Sequence, residues 1–233
     1  ELNWRIFLRF RGRVEDSDLA VFIIFILSFN FRRPDLLSEL KIGLNEQRSN
    51  PENLLKEYLF RFCHEEEVDQ DIYERIQRIL GHHGTDLQFL VGDWEPLYLT
   101  EKAYKEAFDY FFEKINSQAG KFGAFSTSQI LRNLVHELIP AGSLSAMDPA
   151  CGSGSILSDF LSKGGRHVYG QDIDQKALIF AKLRFLNSPS VKLSQGNSLT
   201  SGLFYGQKTD VFLSNPPYNL KVGRDEIWQM NFG

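Results

Sequence analysis

Three short segments combine residue types and spacings suited to chemistry on a nucleotide-like ligand and an amine. The first is Asp148-Pro149-Ala150-Cys151-Gly152-Ser153-Gly154. It lies between an apolar strand candidate and a helical stretch. Glycines there let the backbone bend and let a ligand approach where a Cβ would clash. The helix that follows offers unpaired N–H groups and a partial positive field. The spacing is G-x-G with no third glycine at the usual place, so a dinucleotide is not indicated. By itself the segment also reads as a plain strand-to-helix turn. The second segment, Gly170-Gln171-Asp172-Ile173-Asp174, places Asp172 18 residues beyond Gly154. That is near the separation of about 20 at which an acid meets a ribose diol. Ile173 can pack on an adenine face, and Asp174 is expected to cap the next helix.

The third segment is Asn215-Pro216-Pro217-Tyr218. Two prolines remove two backbone donors, leaving carbonyl oxygens and the Asn215 side-chain oxygen as acceptors beside a flat ring. Such a site suits an exocyclic amine whose ring system stacks on Tyr218. Asn-Pro-Pro alone is a common turn. It gains meaning from following a strand, in order after the two earlier segments.

The elements that must hold these segments read as strand, turn and helix in repeated order. Strands are expected at Leu144–Asp148, His167–Ile173, Val191–Gln195 and Asp210–Ser214. Helices are expected over Ser128–Ile139, Ser155–Ser162 and Gln175–Asn187. This alternation predicts βαβ units in a parallel α/β sheet, with ligands beyond the carboxyl ends of its strands.

Residues 1–119 read instead as an all-α helical domain. The run Leu19–Phe29 is 11 residues, short of the roughly 20 a membrane span needs. It follows acidic residues, so it is expected to be a buried helix starting near Asp18, with Asp16 and Ser17 as caps. Leu36, Leu37, Leu40 and Ile42 recur at helical spacing. Asn50-Pro51 signals another start, for a helix burying Leu54, Leu55, Tyr58 and Leu59. A further helix runs through Ile72, Ile76 and Leu80 and is expected to stop at Gly81, leaving His82-His83 in an exposed turn. Thr100–Asn116 is amphipathic, with Tyr104, Ala107, Phe108, Phe111 and Ile115 inward. The pattern changes at residues 118–123, a linker in this reading, so residues 120–233 form the α/β domain.

The chain has 26 basic and 30 acidic residues, net -4, which excludes a polycation gripping nucleic acid by bulk charge. Residues 1–120 hold 15 basic and 22 acidic side chains, and residues 121–233 hold 11 and 8. Cys63 and Cys151 are the two cysteines, too few for a disulfide framework and in no zinc-binding pattern. This fits a reduced, cytoplasmic protein without a membrane span. Cys151 is given no nucleophilic role. His64, beside Glu65-Glu66-Glu67, reads as charged surface, and Trp4, Trp94 and Trp228 as packing residues.

The order DPACGSG, GQDID, GNSL, NPPY resembles the S-adenosylmethionine-dependent amino-methyltransferases. More narrowly, it resembles the modification subunits of type I restriction-modification systems, which methylate adenine N6 in DNA. Gly123-Ala124-Phe125-Ser126-Thr127-Ser128 is similar to the family's GxFxTP segment, with Ser128 where proline is usual. The resemblance implies a partial Rossmann-like methyltransferase sheet, with S-adenosylmethionine held by Phe125, Thr127, Asp148, Ala150, Gly152, Gly154, Asp172, Ile173, Asn197 and Ser198. Gly196-Asn197-Ser198-Leu199 carries Asn where many such enzymes carry Asp, so altered contacts to the adenine amino group are expected. Catalysis would fall to Asn215, Pro216, Pro217 and Tyr218, acting on an adenine flipped from double-stranded DNA, with no metal. The family places sequence recognition in a separate specificity subunit, alongside a restriction subunit, and the acidic balance fits that division. Four strand candidates are fewer than the family's sheet holds, so the domain is expected to be incomplete at its C-terminus. A glutamine side chain in a protein or a guanine amine in RNA is the alternative methyl acceptor, and a non-catalytic assembly subunit is the alternative role.

Overall fold

The computed structural model describes residues 16–46, 50–92, 98–119, 127–186, 188–201, 204 and 206–217. The chain divides into two compact units, Glu1–Ala119 and Gly120–Gly233.

The first unit is built around α1 (Asp16–Arg32). Leu19 to Asn30 are all buried, so the apolar run is a central helix covered on every side. It packs against α2 (Pro34–Asn45), α4 (Gln70–Gly92) and α5 (Glu101–Ala119), while α3 (Pro51–Glu65) packs on α2 and α4. Aromatic edges and faces join these helices: Phe25 and Phe29 meet the Phe62 ring at 5.5 and 4.6 Å, and Phe31 stacks on Tyr104 at 4.3 Å. Ser28, buried within α1, is placed so that its burial costs little. The Ser28 hydroxyl donates to the Ile24 carbonyl and shares a 2.8 Å hydrogen bond with the Tyr104 hydroxyl. Among the described residues no helix is long and apolar enough to cross a membrane.

Local signals explain the starts of these helices. Asn50 caps α3, its side-chain oxygen accepting from the N–H groups of Glu52 and Asn53, with Pro51 at the first position. Three expectations are corrected. Helix α4 does not stop at Gly81 but runs to Gly92, so His82-His83 is helical. Gly81 is exposed with open space beside it, and an exposed helical glycine costs only about 1 kcal/mol. On α5 the third buried aromatic is Phe112, with Phe111 half-buried, because 104, 108 and 112 keep the i, i+4 stripe. Tyr58 is half-buried and Ile42 is 51% exposed. The side chains of Asp16, Ser17 and Ile115 lie outside the described residues, as do Trp4, Trp94 and Trp228.

The second unit begins its described part with α6 (Gln129–Glu137), capped by Ser128, whose hydroxyl accepts from the Leu131 N–H. Then follow β1 (Ser145–Asp148), α7 (Ser155–Ser162), β2 (His167–Asp172), α8 (Gln175–Arg184), β3 (Val191–Gln195) and β4 (Val211–Phe212). The four strands form one parallel sheet in the order β3-β2-β1-β4. This is a Rossmann-like α/β arrangement. Its core joins Ala146, Val168 and Leu213 from the sheet side to Ile156, Leu157, Phe160, Leu178 and Ala181 from α7 and α8.

Strand β4 is shorter than the expected Asp210–Ser214. Only Val211 and Phe212 pair with β1, and the Leu213 N–H adds one bond to the Met147 carbonyl. Asp210 instead turns its side chain to β1, one carboxylate oxygen accepting from the Leu144 N–H, the Ser145 N–H and the Ser145 hydroxyl. The prolines beyond Asn215 have no N–H with which to extend the ladder. Helix α8 likewise ends at Arg184, ahead of the expected Asn187.

Candidate active site

Strand order decides where a ligand can sit. The chain builds outward from β1 to β2 to β3, then returns to place β4 on the other side of β1. The sheet's switch point therefore lies between the carboxyl ends of β1 and β4, where connections leave in opposite directions and open a crevice. The first segment leaves β1 there and the third leaves β4 there. They are neighbours: the Leu213 N–H donates to the Met147 carbonyl, one residue before Asp148.

The glycine bend is tied to both other loops. Gly152 N–H donates to Asp172 Oδ2 at 2.7 Å, and the other carboxylate oxygen accepts from Asp174 N–H at 2.8 Å. The Cys151 N–H donates to the Gln171 carbonyl. From the loop after β3, the Ser198 hydroxyl donates to the Pro149 carbonyl. Gly154 sits at φ +77 as the N-cap of α7, and a Cβ there would lie 2.5 Å from Phe185 Cε2. Glycine is thus required both by the left-handed backbone and by the packing of α8's end against the bend. Having no side chain, Gly154 makes no cap hydrogen bond, so the N–H groups of α7's first turn keep their donor capacity toward the bend.

Asp148 is 1% exposed, and Oδ1 accepts from the Ala150 N–H. Burial pushes its carboxyl up to about 7, opposed by the hydrogen bond from the Ala150 N–H and reinforced by the charge of Asp172. Asp148 therefore braces the bend from beneath. Asp172 is half-buried, and Ile173 beside it is 56% exposed. A carboxylate with an uncovered aliphatic side chain at the end of β2 suits a ribose edge and an adenine face. Asp174 does cap α8, accepting from the Lys176 and Ala177 N–H groups.

Asn197 is half-buried, and its Oδ1 accepts from the Leu199 N–H in a local turn. Its amide nitrogen then faces the other way, which suits a ring-nitrogen acceptor rather than an amino group. Thr127 is half-buried at the entrance to α6, and Asn215 Nδ2 donates to its Oγ1 at 3.4 Å. Pro216 and Pro217 are exposed. Phe125 and Tyr218 lie outside the described residues. Ala150 and Gly152 are half-buried and Gly154 is buried. Cys151 is buried, which pushes its thiol well above the usual thiol range.

Two supporting residues escaped the sequence reading. Gln171, 3% exposed, donates through Nε2 to the Ser201 carbonyl and holds the loop after β3. Arg184, 6% exposed, donates through Nε to the Ser153 carbonyl at 2.9 Å. Gln171 carried a legible signal, since a polar side chain in a strand covered on both faces must find a partner. Arg184 carried none, because a basic residue at a helix end normally faces water.

Comparison with known proteins places these features among methyltransferases. The family model for N-6 DNA Methylase matches residues 100–232. The MjaIX type I restriction enzyme methylase subunit of Methanocaldococcus jannaschii is 25% identical over 179 residues, 70% of this chain and 31% of that protein. The MjaVII methylase subunit of the same organism is 26% identical over 140 residues, 55% of this chain and 24% of that protein. The chain thus spans less than a third of the length of these curated relatives. Among solved structures, a Listeria monocytogenes protein assigned to the class I S-adenosylmethionine-dependent methyltransferases matches with a TM-score of 0.47 and 18% identity, covering 81% of this chain and 58% of that one.

Proposed function

The chain belongs to the N-6 DNA methylase family, and we propose that it acts within a modification subunit of a type I restriction-modification system, methylating adenine N6 in double-stranded DNA. The observation that carries the reading is the meeting of the glycine bend and the Asn-Pro-Pro segment at the switch point, tied by the Leu213 bond to β1. S-adenosylmethionine is the cofactor. The bend, Asp172, Ile173 and the Asn197-Ser198 loop fit it, offering donor groups at α7, an acid for ribose and an exposed apolar face. When bound, it supplies an electrophilic methyl group.

The chain's own residues then hold the target amine. Asn215 Oδ1 and the Pro216 carbonyl accept the two N–H groups of the target amine. Those bonds favour a pyramidal nitrogen and release the lone pair from the ring, with the acceptors already in place before reaction. The proton leaves to water after the nitrogen has gained its methyl, so no strong base is required. The target base must leave the helix stack, which costs on the order of a few kcal/mol. A chain of net charge -4 gains little from phosphates, so a specificity subunit and a restriction subunit are the partners this reading assigns.

The test is methyl transfer from isotopically labelled cofactor by the native assembly to unmethylated DNA, protein and RNA. N6-methyladenine in DNA, lost with Asn215→Ala, is the expected result. Label in glutamine or guanine, or no transfer with assembly lost in Asn215→Ala, would replace the reading with methylation of those acceptors or with a structural role.

A further inference from the structure

We propose that Thr127 is a positioning residue that holds the plane of the Asn215 carboxamide. The inference rests on the reading of Asn215 given above. The two residues belong to elements that are anchored separately. Thr127 immediately precedes Ser128, the N-cap of α6, whose hydroxyl accepts from Leu131. Helix α6 is tied to α7 by a buried ion pair, Arg132 Nε to Asp159 Oδ2 at 3.4 Å, the side chains 4% and 10% exposed. Since α7 opens at the glycine bend, Thr127 is carried on a helix clamped to the cofactor-binding turn. Asn215 leaves the sheet on the other side of that crevice, its approach fixed by the Leu213–Met147 bond and its exit by Pro216.

The hydrogen bond from Asn215 Nδ2 to Thr127 Oγ1 crosses between these two anchors. A carboxamide rotates broadly about its last torsion unless one end is held. With the nitrogen end held at Thr127, the oxygen end points to the opposite side of Cγ, where an amine donor can meet it. The arrangement is self-consistent in polarity: an amine donating to Oδ1 requires the partner of Nδ2 to be an acceptor, and a hydroxyl oxygen is one. Valine has nearly the same shape and no acceptor. The resemblance-based role of Thr127, contact with the cofactor, predicts a different phenotype.

The decisive experiment compares Thr127→Val and Thr127→Ser in the native assembly, measuring methyl transfer to unmethylated DNA and, separately, equilibrium binding of S-adenosylmethionine. Loss of one neutral hydrogen bond should lower kcat about 5- to 10-fold in T127V with cofactor Kd within about twofold, while T127S stays within about twofold in both. Wild-type kcat in T127V, equal impairment of T127S, or a loss confined to cofactor binding would each overturn the proposal. Absence of transfer by the wild-type assembly would instead remove the underlying reading, and this inference with it.

Discussion

The backbone N–H of Gly152 and the carboxylate of Asp172 lie 2.7 Å apart, so the acid proposed to hold the cofactor's ribose also holds the turn that cradles the rest of it. Its second oxygen accepts from Asp174 N–H. One side chain thus couples the shape of the cleft to the recognition of its ligand.

Asp172→Ala should therefore weaken cofactor binding more than a ribose contact alone explains. A charged acceptor is lost to two backbone donors as well as to the ligand, so Kd should rise about 10-fold or more. Asp172→Asn, which keeps one acceptor oxygen, should fall between Ala and wild type. Titration calorimetry on the three proteins checks the order.

Two acids on the β1–β4 pair should give opposite pH behaviour. Burial lifts Asp148 from 3.8 to about 7. Between those values the folded protein keeps a proton that the unfolded chain has lost, so this group's contribution to stability falls as pH rises from about 4 to about 7. Asp148→Asn, neutral throughout, should unfold at a higher temperature than wild type near about pH 8, with the gap closing toward about pH 4. Asp210 is the reverse. Hydrogen bonds from the Leu144 N–H, the Ser145 N–H and the Ser145 hydroxyl hold it below the usual 3.8. The stability it adds is present above the usual carboxylate range and lost as pH falls through the lowered value. Melting curves of D148N and D210A across this range separate the two.

Gly154→Ala should destabilise by about 2–4 kcal/mol, combining left-handed strain with overpacking against Phe185. Gly142→Ala is the control. Gly142 has φ +83 with nothing within 4 Å of the added Cβ, so only the strain of about 1–2 kcal/mol applies. Urea unfolding of both variants measures the difference.

Removing Arg132 alone should cost about 3–5 kcal/mol, because Asp159 is left buried without its cation. The double replacement R132M/D159L should cost less than either single change. A double-mutant cycle by urea unfolding tests that sign, and cofactor affinity in R132M reports how far the α6–α7 clamp shapes the bend.

Much of the α/β unit was legible because its signals are local. Strand β3 has its expected ends, β1 and β2 fall within a residue of theirs, and Asp174 and Asn50 cap as their types suggest. The exceptions were set by contacts distant in sequence. Strand β4 starts one residue late because Asp210 turns its side chain to β1 across 65 and 66 residues. Helix α4 passes Gly81 because the Ile72, Ile76 and Leu80 face is already buried, a tertiary gain no local propensity reveals. At the site, residue types pointed to a ribose acid and an amine acceptor. The tie from Gly152 to Asp172 and the span from Asn215 to Thr127, by contrast, are products of strand order.

The Asp210 brace has an evolutionary corollary. It grips the amino ends of β1 and β4, one strand-length away from Asn215 and the glycine bend. Robustness and reactivity are thereby lodged at opposite poles of the same two strands. Selection, or an engineer, can harden one pole while retuning the other, and thermal tolerance in this lineage can drift without altering what the cleft accepts.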